Sequence, residues 1–334
     1  SSPDIPHDPF MPALPSAPRV SIGLPVYNGA DYLEAALDSI QAQTFGNFEV
    51  IICDNGSTDA TESICRRYAE GDERIRYHRN ERNLGAAKNY NCTLKLARAP
   101  YFRWACHDDR LAPRCLEACV EVLDTHPRVV CAYSLTQMID AEGEPIEEPG
   151  WIRDLHLVDQ SPSERFAHYL RAYRWGGDGG QLFGLMRTDV LRATKQHGDY
   201  PSADLILIGE LSLWGDLYEI QERLFLRRLH DANSIYGNDQ QIDKVWAWFD
   251  PDQKGRIQWL EWRWLKELTQ AIGRAPLSST ERRRCYQTLA RLYIRHHGRK
   301  CVKEAIYVLS ARLGLANNNR VQKVVGLNTM YKII

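Results

Sequence analysis

The sequence predicts an α/β fold, in which a doubly wound, mostly parallel β-sheet carries helices on both faces and a C-terminal helical extension follows. Short apolar runs of strand length alternate with segments of helical periodicity from residue 19 to about residue 140. Three of these runs end in polar residues, at Tyr27-Asn28, Asp54 and His107-Asp108-Asp109. Beyond Asn233 the alternation stops, and tryptophan and basic residues accumulate in helical patterns.

The first half of the chain supplies five strands and four helices. We predict strands at 19–28, 48–54, 74–78, 101–107 and 129–138, and helices at 31–43, from the 55–59 turn to 68, at 86–97 and at 114–123. Pro25 should end the central pairing of the first strand, because proline has no backbone N–H. Ser57 or Thr58 should cap the second helix.

The second half is less regular. We predict a hairpin tip and mobile loop at 141–163, a helix at 164–173, a flexible glycine-rich joint at 176–180, a strand at 181–186, an apolar helix at 204–214 and a strand within 218–229. Three helices should follow, at 245–271, 279–296 and 300–313. Ser279 or Thr280 should open the second of these, with Glu281 in its first turn. The tryptophan-rich first helix should pack on its own domain.

Composition restricts the class of protein. The nine cysteines form no CxxC pair and several lie in apolar runs, which predicts buried reduced thiols and a cytoplasmic location. No run of 18 apolar residues is present, so we predict no transmembrane helix. Residues 1–18 contain six prolines and no positively charged segment before an apolar core, which indicates a disordered leader and not a signal peptide.

The charge is unevenly distributed. Residues 251–334 carry 17 lysines and arginines against five acidic residues, whereas the whole chain has a net charge of −1. Such a basic tail indicates either an anionic partner or a set of solvated helix faces. One hypothesis is peripheral contact with an anionic membrane surface, and another is a homodimer interface. The basic residues are not interleaved with aromatic residues as in an RNA-binding motif, so we predict no nucleic-acid partner.

The acidic pair Asp108-Asp109 is the strongest indication of chemistry. Two adjacent carboxylates at the end of a buried strand repel each other, and a divalent cation is their usual counter-charge. In open α/β sheets such side chains emerge where ligands bind. A solvated turn before the helix near Pro113 is the alternative. The sequence contains neither GxGxxG after the first strand nor GxxxxGK[ST], so carboxylate-bound metal would have to neutralise a bound diphosphate.

Five segments together resemble inverting glycosyltransferase family 2, whose members have the GT-A fold. They are Pro25-Val-Tyr-Asn-Gly29, Ile52-Cys-Asp-Asn-Gly-Ser-Thr-Asp59, Arg82-Asn-Leu-Gly-Ala-Ala-Lys-Asn89, His107-Asp-Asp109 with Leu111-Ala-Pro113, and Arg227-Arg-Leu-His230. The resemblance runs from about Val20 to His230 and implies a nucleotide-sugar-binding half at 19–140 and an acceptor-binding and catalytic half at 141–235. The composition predicts a basic, tryptophan-rich helical extension at 236–334.

The resemblance also implies roles for individual residues. The residues implied in donor binding are Pro25, Tyr27, Asn28, Asp54, Asn83, Lys88 and Asp108. Asp54 would accept a hydrogen bond from the imide N–H of the base, which favours uracil or thymine. Asp109 and His230 would bind Mg²⁺ or Mn²⁺. His107 departs from the family pattern, because it stands where the first acidic residue of the metal motif is expected.

The implied reaction is a single displacement with inversion, in which a carboxylate takes the proton from an acceptor hydroxyl. We expect Asp204 to be this base, with a helix N-cap as its alternative role, and Glu210 and then Asp178 as further candidates. The acceptor is expected to be a glycan, a lipid-linked molecule or a small molecule, with the 176–180 loop on its side of the site.

Two other functions remain open from the sequence. A sugar nucleotidyltransferase shares the sheet and Mg²⁺, but it would need a G-x-G-T-R-like loop where Pro25-Val-Tyr-Asn-Gly29 stands. A catalytically silent protein that binds nucleotide sugars is consistent with the replacement of an acid by His107.

Overall fold

The structure is a computed structural model that describes residues 17–147, 155–173, 180–230, 242–253 and 259–312 of the chain. Within these residues the centre is an eight-stranded sheet with the order β3-β2-β1-β4-β7-β6-β8-β5. The strands are β1 (Val20–Val26), β2 (Phe48–Asp54), β3 (Ile75–Arg79), β4 (Tyr101–Trp104), β5 (Arg110–Leu111), β6 (Val129–Ile139), β7 (Leu185–Arg187) and β8 (Asp216–Arg228).

The sheet is mixed but mostly parallel. Strands β3, β2, β1 and β4 form a continuous parallel block, and β6 pairs in parallel with β8. The short strand β7 runs antiparallel between β4 and β6, and β5 runs antiparallel to β8 at one edge. The predicted α/β class is therefore confirmed, with the antiparallel β7 joining the two parallel parts.

Helices cover both faces of the sheet. They are α1 (Ala30–Gln41), α2 (Thr61–Gly71), α3 (Ala86–Leu96), α4 (Cys115–Thr125), α5 (Pro162–Tyr173), α6 (Thr188–Ala193), α7 (Ala203–Trp214), α8 (Ile242–Phe249), α9 (Leu260–Arg274) and α10 (Ser279–Arg312). Side chains of β2 alternate between two cores, because Val50 and Ile52 join one apolar cluster while Ile51 and Cys53 join the other. The core that contains Ile51 extends to α9 and α10, so the C-terminal helices pack on the same body.

The start of α2 and the end of β1 differ from prediction. The expected cap at Ser57 or Thr58 is wrong, because α2 begins at Thr61 and the Ser57 N–H donates instead to Asp54 Oδ1 at 2.8 Å. Pro25 lies within β1 opposite Cys53, and pairing with β2 continues to Val26. On the β4 side the pairing ends at Gly23, so the proline ends one ladder and not the strand.

Two predictions in the second half also need correction. Residues 181–186 are not one strand, because a 3₁₀ turn occupies Gly180–Phe183 and only Leu185–Arg187 is extended. The predicted helix at 245–271 is divided into α8 and α9, whereas the two predicted at 279–296 and 300–313 form the single helix α10. The N–H of Glu281 donates to Ser278 Oγ at 3.2 Å, so Ser278 supplies the capping oxygen.

Some predictions lie outside the described residues. They concern most of the leader, residues 148–154 of the predicted loop, most of the glycine-rich joint with Asp178, and the chain after residue 312.

All nine cysteines are free thiols, of which Cys92 and Cys106 are partly accessible and the others are buried. In the part of the chain that the structure describes, no helix is long and apolar enough to cross a bilayer. Trp246 and Trp264 are buried within the core, as predicted for the tryptophan-rich segment.

Candidate active site

The polar ends of β1, β2 and β4 meet at one edge of the sheet. The backbone N–H of Asn55, just after β2, donates to the carbonyl of Val26 at 2.8 Å. The N–H of Ala105, just after β4, donates to the carbonyl of Gly23 at 2.9 Å. Since β1 lies between its two parallel neighbours, the turn after Asp54 and the acidic segment at 108–109 emerge on either side of the β1 end.

The β1 end forms a tight turn. Asn28 has a φ of 49°, in the left-handed region that asparagine tolerates, and its Oδ1 accepts a hydrogen bond from the Thr58 N–H at 2.8 Å. Its own N–H donates to Ser57 Oγ at 2.9 Å. Pro25 is buried in β1, whereas the Tyr27 side chain is 43% exposed. Tyr27 and Asn28 are both exposed at this turn, and Tyr27 offers an aromatic surface.

Asp54 is fully buried beneath this turn. Its Oδ1 accepts the Ser57 N–H, its Oδ2 accepts the Tyr77 hydroxyl at 2.8 Å, and Arg79 Nε lies 3.4 Å away. Burial and the adjacent Asp54 carboxylate raise the pKa of Tyr77, so Tyr77 remains a donor. An ionised carboxylate offers about four lone-pair positions, which leaves capacity for one further hydrogen bond.

The next loop carries Asn83 and Lys88. Asn83 Oδ1 accepts hydrogen bonds from the Gly85 N–H at 2.8 Å and from Asn55 Nδ2 at 2.9 Å, so its side chain holds the loop to the β2 end. The Lys88 ammonium lies 3.3 Å from Asp250 and 3.6 Å from Asp252, both just after α8. The structure therefore shows a turn role for Asn83 and a contact with acidic groups for Lys88.

The acidic segment after β4 forms a compact cluster. One ligand atom from each of Cys106, Asp108 and Asp109 lies within 4.8 Å of the others. Burial and the neighbouring charge of Asp108 raise the pKa of Asp109 to about 7. Burial opposes ionisation of Asp108, but the hydrogen bond with His230 and the charge of His107 hold its pKa below the usual value. Two carboxylates in this arrangement attract a cation.

The C-terminal end of β8 holds this cluster in place. The Arg228 N–H donates to Asp109 Oδ1 at 2.9 Å, and Arg228 Nε donates to the backbone carbonyl of Asp108 at 2.9 Å. His230 Nε2 lies 3.2 Å from Asp108 Oδ2, with its ring against Tyr32 at 4.6 Å between centroids. Arg228 is 119 residues from Asp109 in the chain, and His230 is 122 residues from Asp108. The fold thus brings the end of β8 to the acidic segment.

His107 does not join the acidic cluster. A Cβ added to Gly29 would come within 2.4 Å of His107 Cδ2, so the imidazole lies directly against the turn after β1. This contact requires glycine at position 29, and it connects the acidic segment to the predicted donor-binding turn. His107, which departs from the family pattern, therefore packs against the turn after β1. The two carboxylates that follow it, Asp108 and Asp109, remain in the acidic cluster.

The predicted base lies at the start of α7. Asp204 is half-buried in the first turn of this helix, whose N-cap position is Ser202 and carries no side-chain capping bond. The preceding segment packs toward the acidic cluster, because the rings of His197 and Tyr90 lie 4.7 Å apart and Tyr90 Oη lies 3.7 Å from Cys106 Sγ. Because Ser202 occupies the N-cap position of α7, Asp204 does not have the alternative role of an N-cap residue.

Glu210 has a different environment. It is fully buried, and both carboxylate oxygens accept hydrogen bonds from the Arg274 guanidinium at 2.7 and 2.9 Å. This ion pair joins α7 to α9, which is a structural role. Asp178, the third candidate, lies outside the described residues.

Sequence reasoning did not find the roles of Cys106, Tyr77 and Arg228. Cys106 was included in the strand, but β4 ends at Trp104 and the thiol turns toward the carboxylates. Arg228 appeared only as a neighbour of His230, although its main chain and side chain both fix the acidic segment. No sequence pattern indicates a contact between a strand end and a loop about 120 residues away.

Comparisons with known proteins identify the family of the chain. The family model Glycosyl transferase family 2 matches residues 21–192, about half of the chain. An uncharacterized glycosyltransferase of Rickettsia typhi is 38% identical over 123 residues, which cover 36% of this chain and 37% of that protein. Chondroitin synthase of Escherichia coli is 30% identical over 160 residues, or 48% of this chain and 23% of the enzyme. These matches thus span less than half of either relative's length.

Solved structures share the fold over most of the chain. The 1–349 fragment of TarS from S. aureus in complex with UDP-GlcNAc has a TM-score of 0.60 at 16% identity, and the match covers 94% of this chain and 88% of the fragment. The mannosyltransferase PcManGT from Pyrobaculum calidifontis, in complex with GDP-Man and Mn²⁺, has a TM-score of 0.53 at 16% identity, with coverage of 98% and 89%. The chain belongs to glycosyl transferase family 2 and has the α/β fold of the GT-A glycosyltransferases.

Proposed function

We propose that this glycosyltransferase moves a sugar, with inversion, from a UDP or dTDP donor to a hydroxyl group of a glycan, lipid-linked or small-molecule acceptor in a metal-dependent reaction. One observation carries the proposal: Asp108 and Asp109 form a cluster at the sheet edge that also holds the turn after Asp54. Nucleotide sugars in two similar structures, UDP-GlcNAc with TarS and GDP-Man with PcManGT, support a donor of this class.

The residues of the cluster fit Mg²⁺ or Mn²⁺. These cations prefer carboxylate oxygens, which Asp108 and Asp109 supply, and His230 lies beside Asp108 as a nitrogen ligand for Mn²⁺. Burial raises the pKa of the Cys106 thiol well above its usual value, so this sulfur stays protonated and is a poor ligand for a hard cation. The Mn²⁺ in the PcManGT complex supports the same assignment.

We assign the donor base to the turn formed by Pro25, Tyr27, Asn28 and Asp54. Tyr27 offers an exposed ring for stacking, and Asp54 keeps one acceptor position for the imide N–H of uracil or thymine. Asn83 would keep this turn in shape, and Lys88 would exchange its contact with Asp250 for a donor phosphate.

The chemistry assigned to the protein is positioning and proton transfer. A bound divalent cation would offset the negative charge that grows on the departing nucleoside diphosphate. Asp204 would take the proton from the acceptor hydroxyl as that oxygen attacks the anomeric carbon from the face opposite the leaving group. Arg228 would hold the acidic segment in place while the diphosphate leaves, through its N–H to Asp109 and its guanidinium to the Asp108 carbonyl.

A silent nucleotide-sugar-binding protein is the second candidate, and His107 is the feature that favours it. The structure weakens this support, because His107 packs on Gly29 while two carboxylates remain in the cluster. A sugar nucleotidyltransferase lacks a comparable observation in its favour.

A panel of nucleotide sugars with and without Mn²⁺ tests the proposal. We expect a UDP- or dTDP-sugar, but not ADP-glucose, to raise the thermal midpoint only when Mn²⁺ is present. At a ligand concentration 100 times Kd the rise should be on the order of 5 °C. Release of the nucleoside diphosphate, measured in the same mixtures, distinguishes an enzyme from a silent protein. A panel in which no nucleotide sugar stabilises the protein would contradict the proposal.

A further inference from the structure

The outer face of α10 carries a row of exposed apolar side chains. Ile294, Val302, Ile306 and Leu309 are 70%, 58%, 61% and 54% exposed. At 100° per residue they fall within an arc of about 120° on one side of the helix. Single exposed apolar residues are ordinary, but four in one row over four turns form a continuous apolar surface.

A row of basic side chains runs beside the apolar row. Arg295, Arg299 and Lys303 are exposed. They directly follow Ile294, Gly298 and Val302, which lie one turn apart on the side of the apolar row. Residues spaced by four lie above one another on a helix, so the two rows are parallel and adjacent. This combination is typical of a helix that lies in a membrane interface, with its apolar side chains inserted and its cations against anionic headgroups.

The carboxylates of α9 and α10 do not offset these cations at the surface. Glu261 accepts from His297 Nδ1 at 2.8 Å, Glu267 pairs with Arg263 at 2.8 Å, and Glu304 accepts the backbone N–H of Glu261 at 3.2 Å. Glu281 accepts the Ser163 N–H at 2.9 Å and pairs with Arg284. The sequence places no other acidic residue in the two helices, so their outer surface presents cations.

The cationic surface continues toward the N-terminal end of α10. A cavity of about 730 Å³ lies beside the contact between α10 and α5 and is lined by Arg171, Arg284 and Arg291, together with Asp159 and Glu164. Glu164 accepts hydrogen bonds from the N–H and hydroxyl of Ser161, which lower its pKa. Arg291 precedes Ile294 by one turn, so the cavity adjoins the apolar row and enlarges the region that an anionic headgroup can contact.

We propose that this face of α10 docks the protein on a membrane surface that contains anionic lipids. Charge complementarity favours lipid over a second copy of the chain. Two copies joined through this face would bring their basic rows together without exposed carboxylates on α9 or α10 to pair with them. Trp262, 44% exposed and donating its indole N–H to the Cys301 carbonyl at 3.2 Å, lies beside the apolar row, where an interfacial tryptophan is favourable.

Vesicle co-sedimentation of the full chain tests the proposal. We expect binding to vesicles of phosphatidylcholine and phosphatidylglycerol in equal amounts, little binding to pure phosphatidylcholine, and loss of binding in 0.5 M NaCl. The variant Arg295→Gln/Arg299→Gln/Lys303→Gln should bind on the order of 100-fold more weakly, from about fivefold per charge. Val302→Asp/Ile306→Asp should weaken binding at least about 10-fold.

A charge-matched control uses cations on another part of the molecule. Arg66→Gln/Arg67→Gln/Lys95→Gln removes three exposed positive charges from α2 and α3 and should retain binding. Failure of the wild type to sediment with the anionic vesicles would overturn the proposal, as would equal losses in this control. Light scattering covers the remaining outcome: a dimer that Val302→Asp/Ile306→Asp converts to a monomer, without effect on vesicle binding, would assign the face to a second copy. Circular dichroism should show unchanged helix content in every variant, because all the substituted side chains are exposed.

Discussion

At the residue scale, two side chains with similar sequence contexts have different environments. Asp204 and Glu210 both lie on α7, and both were candidates for the base. Glu210 is held by Arg274 in the interior, whereas Asp204 is half-buried at the helix end that packs toward the acidic cluster. The buried ion pair with Arg274 thus counts against Glu210 as the base, and Asp204 stays the candidate that the resemblance indicates.

Asp204→Asn should separate donor binding from transfer. The amide keeps the size of the side chain but cannot accept the acceptor proton, so we expect transfer to fall by roughly 10²–10⁴-fold. The Mn²⁺-dependent thermal shift with the donor should be unchanged. Transfer at the wild-type rate would remove Asp204 from the mechanism.

A second residue-scale feature lies in the core, where Arg103 is only 1% exposed. Its Nη1 donates to Cys115 Sγ at 3.2 Å. The hydrogen bond from Cys119, together with the Arg103 charge, lowers the pKa of Cys115 to about 6. Among the described residues no carboxylate forms an ion pair with Arg103, so we predict that Cys115 is a thiolate and serves as its counter-charge.

Cys115→Ala should therefore leave a buried cation unpaired. We expect the free energy of unfolding to fall by about 3 kcal/mol at pH 8.5, by comparison with broken buried ion pairs. Cys65→Ala is the matched control, because burial raises the pKa of Cys65 to about 12 and keeps it a neutral thiol. The control should cost about 1 kcal/mol. Urea unfolding measures both.

The same pair predicts a pH dependence. The pKa of Cys115 is lower in the folded state than the ~8.5 of an unfolded thiol, so the unfolded chain binds more protons between about pH 6 and 8.5. Stability from this pair is complete above pH 8.5 and is lost as the pH falls through about 6. The difference between wild type and Cys115→Ala should rise by up to ~1.4 kcal/mol per pH unit across this window. A difference that stays constant would show that Cys115 is a neutral thiol.

At the element scale, the strands and helices of the first half were predicted well because their signals are local. Alternating and helical periodicity gave β2 and the buried face of α1, formed by Leu33, Ala36, Leu37 and Ile40. The C-terminal helices were predicted less accurately, because the two predicted at 279–296 and 300–313 are one helix that runs through Gly298, although glycine disfavours a helix interior. Packing of α10 on α5 and α9 outweighs this weak local preference.

Gly298→Ala tests whether α10 is continuous. A Cβ at this position would meet Ile294 Cγ2 at 3.6 Å, an ordinary contact, so alanine should increase the free energy of unfolding by about 0.5–1 kcal/mol. Gly209→Ala in α7 is the contrasting variant, because its Cβ would come within 2.6 Å of Tyr169 Cε1. That variant should lose about 1–3 kcal/mol. Destabilisation by Gly298→Ala would favour the two helices predicted from the sequence.

At the scale of the whole molecule, the C-terminal helices are part of the catalytic body. The Glu210–Arg274 ion pair joins α7 to α9, and α9 and α10 share a core with β2 and α7. The sequence predicted their basic charge and the packing of the tryptophan-rich segment on its own domain. It did not predict the Glu210–Arg274 ion pair, because these residues are 64 positions apart in the chain. The acidic cluster was predicted from Asp108 and Asp109, whereas its support by Arg228 depends on tertiary structure alone.

Glu210→Gln tests this connection between the two parts. Loss of a fully buried carboxylate that holds Arg274 should lower the free energy of unfolding by about 3 kcal/mol, while the folded protein keeps transfer activity. Glu222→Gln, which removes an exposed partner of Arg114, should change stability by less than about 0.5 kcal/mol. If Glu210→Gln instead retained full stability but lost transfer, Glu210 would be the base.

We infer that Asp108 and Asp109 hold a divalent cation at the donor site. Electron paramagnetic resonance of Mn²⁺ in the presence of UDP measures this directly, because the signal of free Mn²⁺ decreases on binding. We predict one bound Mn²⁺ per wild-type chain and a loss of at least about 10-fold in affinity for Asp109→Ala, with wild-type binding by the surface control Asp124→Ala. Equal Mn²⁺ binding by wild type and Asp109→Ala, or none by wild type, would contradict the account.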